Sequence, residues 1–212
     1  LLVPIVLLGS LSFLTTQHDV KRDINQNSSF LLHQSQTQLE MILNEIDTLY
    51  LALYDNTAIF NELSAVLKNP HYTYESSTSY RIISSFLNGF TSAKPYIQSF
   101  YLYVDNPYQR FLSSVGGLVT LDHFYDTAWY DAFMDYTGPP AKWTSRRNIK
   151  FYDFESDATP IVTFYNVLVP QKIAIILNIK PKYIESILDD ITKYPDQQLF
   201  VLDEENHIIF SN

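Results

Sequence analysis

The residues best suited to recognising a small molecule are aromatic side chains with a few polar groups among them. Trp129 and Tyr130 are adjacent, and Asp126 lies about one helical turn before them. Tyr101 and Tyr103 lie in a segment whose aromatic and branched residues predict a β-strand. Aromatic walls with a few polar tips are typical of a pocket for a small polar ligand, although any one of these aromatic residues could instead belong to the core.

Residues that carry catalysis or bind metals form no recognisable pattern in this sequence. No glycine-rich phosphate loop, HExxH or GxSxG motif occurs, the five histidines are scattered, and cysteine is absent. The acidic pairs Asp189-Asp190 and Glu204-Glu205 are typical of a helix end and a turn. We therefore expect no catalytic residue, metal site or cofactor here. A membrane-anchored glycosidase is the least favoured alternative, because it needs two carboxylates that face a cleft.

Composition and charge narrow the possible partners. The chain has 212 residues, of which 46% are hydrophobic and 15% aromatic, so it is expected to fold around a sizeable core. Its 14 basic and 23 acidic residues give a net charge of −9. An acidic protein does not neutralise phosphates, so we expect no nucleic-acid binding by this segment.

The first third of the chain is predicted to be helical. Residues 1–14 are uncharged and mostly apolar, and residues 15–67 contain neither proline nor glycine. We expect a truncated transmembrane helix over 1–14, since a complete span needs about 20 residues, with a signal-peptide core or a buried helix as alternatives. A stalk helix is predicted over 15–67, and its narrow apolar seam could form a dimer interface or pack on its own domain. The seam consists of Leu39, Ile42, Ile46, Leu49 and Leu53.

The remaining sequence alternates between short helical and strand-like segments. Helices are predicted within 80–90, 121–136 and 181–191, and strands at 97–104, 110–114, 160–169 and 173–179, with a final hairpin over 199–210. Runs of antiparallel strands with segregated helices indicate the α+β class.

Several segments, in this order, resemble the double-Cache family of extracellular sensors. They follow the apolar run and the long helix, and they are Phe100–Ser114, Leu121–Phe133, Lys142–Asn148, Ile161–Leu168 and Ile173–Leu188. The resemblance implies a PAS-like (Cache) antiparallel sheet flanked by helices and preceded by the long N-terminal helix. The sequence is similar above all to the sensors of Gram-positive membrane histidine kinases, and also to those of membrane-bound AraC-type regulators. A membrane-distal lobe over 68–196 and the start of a membrane-proximal lobe over 197–212 are then expected.

What the resemblance implies about function is a ligand-sensing role. The segment would be the extracytoplasmic input domain of a receptor in the bacterial cell membrane, would not itself be an enzyme, and would form a homodimer through the long helix. A membrane-anchored binding or scaffold protein without signalling output is the alternative.

The resemblance also suggests which side chains meet the ligand. Family members that bind amino acids carry an arginine shortly before a Trp-Tyr pair, and that arginine clamps the ligand carboxylate. Here Asp126 takes its place, so a sugar or an amine is the expected ligand rather than an amino acid. Asp126 could also merely cap or solvate its helix. The other expected pocket residues are Trp143, Arg146, Arg147 and Tyr152, on the stretch facing this helix, and Tyr165 and Asn166 on a further strand.

Overall fold

The computed structural model describes residues 2–71, 73–134, 141–143, 146–150, 157–168, 172–189, 199–202 and 206–211. The helices are α1 (Leu2–Asp55), α2 (Thr57–Lys68), α3 (Tyr74–Ala93), α4 (Ala128–Met134) and α5 (Pro181–Asp189). The strands are β1 (Ile97–Val104), β2 (Arg110–Ser113), β3 (Gly117–Thr120), β4 (Ala141–Trp143), β5 (Arg147–Ile149), β6 (Thr159–Leu168), β7 (Ile173–Ile179), β8 (Phe200–Leu202) and β9 (Ile208–Ser211). A short 3₁₀ helix spans Leu121–His123.

The predicted uninterrupted helix over 15–67 is wrong, because the structure divides it at Asn56. The side chain of Asn56 accepts a hydrogen bond from the backbone amide of Ile59 at 3.3 Å and so caps the start of α2. The next helix begins earlier than its apolar residues predict, since Thr73 and Ser76 form a reciprocal capping box at the start of α3. No helix in the described part of the chain has a stretch long and apolar enough to cross a membrane.

The strands form an antiparallel sheet that confirms the predicted α+β architecture. Its order is β3-β2-β1-β7-β6-β4, with β5 also paired to β6, and β8 and β9 form a separate hairpin. β3, which the sequence analysis does not predict, follows directly from the turn at Gly116-Gly117. Gly117 has a φ of +70°, a conformation that glycine adopts without steric cost.

One face of the sheet is covered by α1, α2, α3 and α5. Ile46, Leu49 and Leu53 of α1 are buried there beside side chains from the other three helices, and Leu39 and Ile42 pack against the same core. The seam of α1 therefore packs on its own domain over this length, which was one of its two predicted roles. We call this face the helix-covered face.

The opposite face carries an aromatic core under α4. Tyr101 and Tyr103 of β1, Phe111 of β2, and Trp129 and Phe133 of α4 are buried together with apolar residues of β6 and β7. We call it the aromatic face, and the buried carboxylate described next lies on it.

Candidate functional site

A buried carboxylate lies on the aromatic face, immediately before α4. The Asp126 side chain is 0% exposed, and three side chains donate hydrogen bonds to it. Its Oδ2 atom accepts from the Tyr101 hydroxyl at 2.9 Å and from Asn178 Nδ2 at 3.1 Å. Its Oδ1 atom accepts from Nη1 of Arg147. The predicted alternative of Asp126 as a solvated residue is therefore wrong.

The hydrogen bonds continue across three strands of the sheet. Ser99 and Thr163 are both cross-strand partners of Asn178, so strand pairing places the three side chains in one row. Thr163 Oγ1 donates to Asn178 Oδ1 at 2.7 Å, and Asn178 Nδ2 donates to Ser99 Oγ at 2.8 Å. Arg147 joins the row through Nε and Nη2, which donate to Thr163 Oγ1 at 3.3 and 3.0 Å. We call Ser99, Tyr101, Asp126, Arg147, Thr163 and Asn178 the Asp126 cluster.

The Asp126 cluster contains one negative and one positive charge. Arg147 is 23% exposed, so it reaches from the edge strand β5 into a site where the carboxylate itself has no contact with solvent. A buried charge without its partner costs several kcal/mol, so Arg147 compensates the charge of the buried Asp126 carboxylate. Burial and then the nearby Asp126 charge raise the pKa of Tyr101 well above its ordinary value, so its hydroxyl remains a neutral donor.

An aromatic wall adjoins the cluster. The indole N–H of Trp129 donates to the backbone oxygen of Asp126 at 2.9 Å, which fixes the ring against the start of α4. The Tyr103 ring meets Trp129 and Tyr130 edge to face, with centroids 5.6 Å apart in each case. Burial and then a hydrogen bond with Tyr130 raise the pKa of Tyr103, so this hydroxyl is also neutral. The wall is thus closely packed, apolar in its body and polar at its tips.

The structure brings together most of the predicted site residues that it describes. Tyr101, Asp126 and Arg147 belong to the cluster, and Tyr103, Trp129 and Tyr130 form the wall beside it. Tyr165 lies on the same face, packed in the aromatic core.

Two predicted site residues point elsewhere. Asn166 pairs directly with Ile175, which packs on the helix-covered face, so strand alternation turns Asn166 away from the Asp126 cluster. Its Oδ1 atom is buried without a hydrogen-bond partner in the described structure. Arg146 also lies apart, since its Nη1 pairs with Glu185 of α5 at 2.5 Å. The side chain of Trp143 and all of Tyr152 lie outside the described residues.

Three residues of the Asp126 cluster were not predicted from the sequence. Ser99, Thr163 and Asn178 each sit in a strand that is mostly apolar or aromatic. Asn178 carried a usable signal, because a lone amide in the fully buried strand β7 must find hydrogen-bond partners.

Comparisons with known proteins show a shared fold and nothing further. No protein family model and no curated protein matches this chain. Among solved structures, the sensory domain of the Campylobacter jejuni chemoreceptor Tlp3 with isoleucine bound has a TM-score of 0.54 and 16% identity, and the match covers 90% of this chain and 71% of that one. The ligand-binding domain of the same receptor with L-valine has the same TM-score and coverage at 14% identity. The periplasmic sensory domain of the C. jejuni chemoreceptor Tlp1 is more distant, with a TM-score of 0.46, 14% identity, and coverage of 84% and 68%. The chain therefore shares the overall fold of the Tlp3 domain.

Proposed function

We propose that this chain is the extracytoplasmic ligand-sensing domain of a bacterial transmembrane receptor, and that the Asp126 cluster and its aromatic wall bind a small polar molecule. The observation that carries the proposal is the buried ion pair on the aromatic face. Well-packed apolar side chains usually stabilise a core as well as a buried ion pair does, so stability alone gives little reason to keep one. Recognition of a polar ligand does give a reason.

The shared fold supports the class of module. The two Tlp3 structures contain isoleucine and L-valine, so this fold can hold a small molecule. We propose a sugar or an amine here, because a ligand carboxylate would be repelled by Asp126. The finer assignment is a two-component histidine kinase of a Gram-positive bacterium, with an AraC-type regulator as the alternative. It includes anchoring in the cell membrane through residues 1–14 at the start of α1, homodimerisation along α1, and a second, membrane-proximal lobe that begins with the β8–β9 hairpin.

Transmission would use the contacts that α1 makes with the sheet. Glu45 of α1 accepts a hydrogen bond from the Tyr96 hydroxyl at 2.8 Å and pairs with Lys94 Nζ at 2.8 Å, just before β1 begins. Hydrogen bonds from Lys94 and then Tyr96 lower the pKa of Glu45, so it is ionised at neutral pH. Ser35 of α1 donates to the backbone oxygen of Ile187 of α5 at 3.3 Å. A shift of β1 or α5 on ligand binding would thus act directly on α1.

A ligand screen on the whole chain tests the proposed site. Small polar molecules are added singly and the melting temperature is measured, and we expect at least one sugar or amine to raise it for the wild type. Trp129→Ala removes the buried ring of the wall and is expected to abolish that shift. Ile82→Ala, which truncates an exposed side chain of α3, is the matched control and should retain it. A ligand-induced shift that Trp129→Ala leaves unchanged would refute the site.

The output half of the proposal needs a different observation. The coding sequence after Asn212 should encode a histidine kinase or a helix-turn-helix domain. A stop codon shortly after Asn212 would instead support the binding or scaffold protein.

A further inference from the structure

We propose that the ligand carries an ammonium or guanidinium group that binds Asp126 by displacing Arg147, so that Arg147 occupies the cation subsite in the unliganded protein. This inference rests on the proposed function and selects the amine over the sugar. It makes Arg147 a competitor of the ligand and not one of its binding partners.

The three donors on Asp126 are not equally replaceable. Tyr101 and Asn178 are both fully buried within the central strands β1 and β7, and each is also held by Ser99. They therefore keep Oδ2 occupied. Among the described residues, Oδ1 accepts a hydrogen bond from Arg147 alone, and this side chain comes from the three-residue strand β5, which is paired to β6. Arg147 is also the only one of the three donors that reaches solvent. The exchangeable position at the carboxylate is the one that Arg147 fills.

Charge balance then fixes the class of group that can take this position. Asp126 has no exposed surface, so a ligand that removes Arg147 without supplying a positive charge leaves a buried carboxylate uncompensated. A sugar has no such charge, and a carboxylate would add a second negative one. A ligand cation exchanges with Arg147 one for one, and the displaced guanidinium moves from a partly exposed position into water.

The surroundings of this position suit a cation in two further respects. Thr163 Oγ1 accepts from two nitrogens of Arg147 and would offer the same acceptor to a ligand ammonium or guanidinium. Tyr101 and Trp129 lie beside Asp126, and both side chains are buried. Their rings keep water away from the carboxylate, which strengthens its attraction for a ligand cation.

The sign of the Arg147→Ala effect on ligand affinity tests the inference. If Arg147 competes with the ligand, its removal strengthens binding; if it clamps an anion or a zwitterion, its removal weakens binding. We would measure methylguanidinium and methylammonium binding by calorimetry and thermal shift, with acetate and glucose as counter-probes. Binding of methylguanidinium to Arg147→Ala is expected to be at least tenfold tighter than to the wild type. Arg81→Ala, which removes an exposed arginine of α3 outside the cluster, should bind it as the wild type does.

Two further variants keep the test decisive. Adding Asp126→Asn to Arg147→Ala should abolish the gain, because the carboxylate that receives the cation is gone. If Arg147→Ala does not fold, Arg147→Lys serves instead, since its single ammonium cannot replace the guanidinium contacts to both Asp126 and Thr163. Arg147→Lys should bind methylguanidinium more tightly than the wild type does, but its gain in affinity should be smaller than that of Arg147→Ala.

The outcomes separate this inference from the proposed function. Equal or weaker binding of methylguanidinium to Arg147→Ala or Arg147→Lys would overturn the inference, as would acetate or glucose binding in its place. A sugar found in the broader screen whose binding needs Trp129 would also overturn it, yet would leave the sensor proposal standing. Tighter cation binding supports the inference even if the chain proves to lack a signalling output.

Discussion

Removing either partner of the Asp126–Arg147 pair should destabilise the fold, but by different amounts. Arg147→Ala leaves a carboxylate that is 0% exposed without a positive partner. Breaking a buried pair in this way costs about 3–5 kcal/mol. Asp126→Asn leaves the guanidinium, which is 23% exposed and can turn towards water. The loss is then that of charge-assisted hydrogen bonds, about 1.5–3 kcal/mol.

Urea unfolding at neutral pH measures both losses and their coupling. The free energy of unfolding, obtained by linear extrapolation for the wild type, both single variants and the double variant, forms a double-mutant cycle. The double variant should be more stable than Arg147→Ala alone, because it no longer contains an unpaired buried charge. The reasoning is refuted if Asp126→Asn costs as much as Arg147→Ala, or if the two losses simply add.

Three further predictions concern the scaffold. Leu53→Ala, in the seam of α1, should lower the free energy of unfolding by about 2–5 kcal/mol, because Leu53 is wholly buried against the sheet and its loss leaves a cavity. A loss below about 0.5 kcal/mol in urea unfolding would show that the seam is not packed there. Glu45→Gln should lower it by about 0.5 kcal/mol at pH 7, a small value because the Glu45 side chain is 42% exposed. The pKa of Glu45 is lowered in the folded state, so the stability difference between the wild type and Glu45→Gln is present at pH values above the unfolded pKa, near 4.3. It should vanish as the pH of the melting experiments falls through the folded-state pKa. A difference that grows in acid would contradict this prediction. Gly117→Ala should destabilise the fold by at least about 1–2 kcal/mol, because Gly117 has a positive φ and a Cβ there would lie 2.7 Å from the Tyr80 hydroxyl. Gly89 lies inside α3 with open space around it, so Gly89→Ala should stabilise the fold by about 0.5–1 kcal/mol in the same unfolding assay.

The fold was largely predictable because its elements have strong local signals. The run of β-branched and aliphatic residues in β7 and the amphipathic pattern of α5 give the strands and helices without tertiary information. The break at Asn56 was not predicted, because asparagine both occurs inside helices and caps them, and no proline or glycine marks the position. β3 was missed because its four residues become a strand only through pairing with β2.

Several residues of the site were predictable from the sequence, but the hydrogen bonds and the ion pair that join them were not. Asp126 was notable because members of the double-Cache family that bind amino acids carry an arginine at this place. Arg147 was expected to face it. Their ion pair depends on strand register, which brings Thr163 beside Asn178 and Arg147 opposite Ile161. Register is set by long-range pairing, so no local pattern around residue 126 reports it. Asn166 differs, because it follows Tyr165 in β6 and successive residues of a strand face opposite sides of the sheet, so the two could not line one pocket.

The adjacency of Arg146 and Arg147 bears on how a ligand on one face could move a helix on the other. Arg147 is the cross-strand partner of Ile161, on the aromatic face, whereas Arg146 pairs with Glu185 of α5, on the helix-covered face. Helix α5 in turn accepts a hydrogen bond from Ser35 of α1. In the proposed mechanism, displacement of Arg147 acts on the residue next to the one that holds α5, so the change passes around the edge of the sheet at β5. It need not deform the central strands, whose side chains are packed on both faces and resist displacement. The exposed Arg146–Glu185 contact is weak enough to yield and is directly joined to the site, as a switch contact must be.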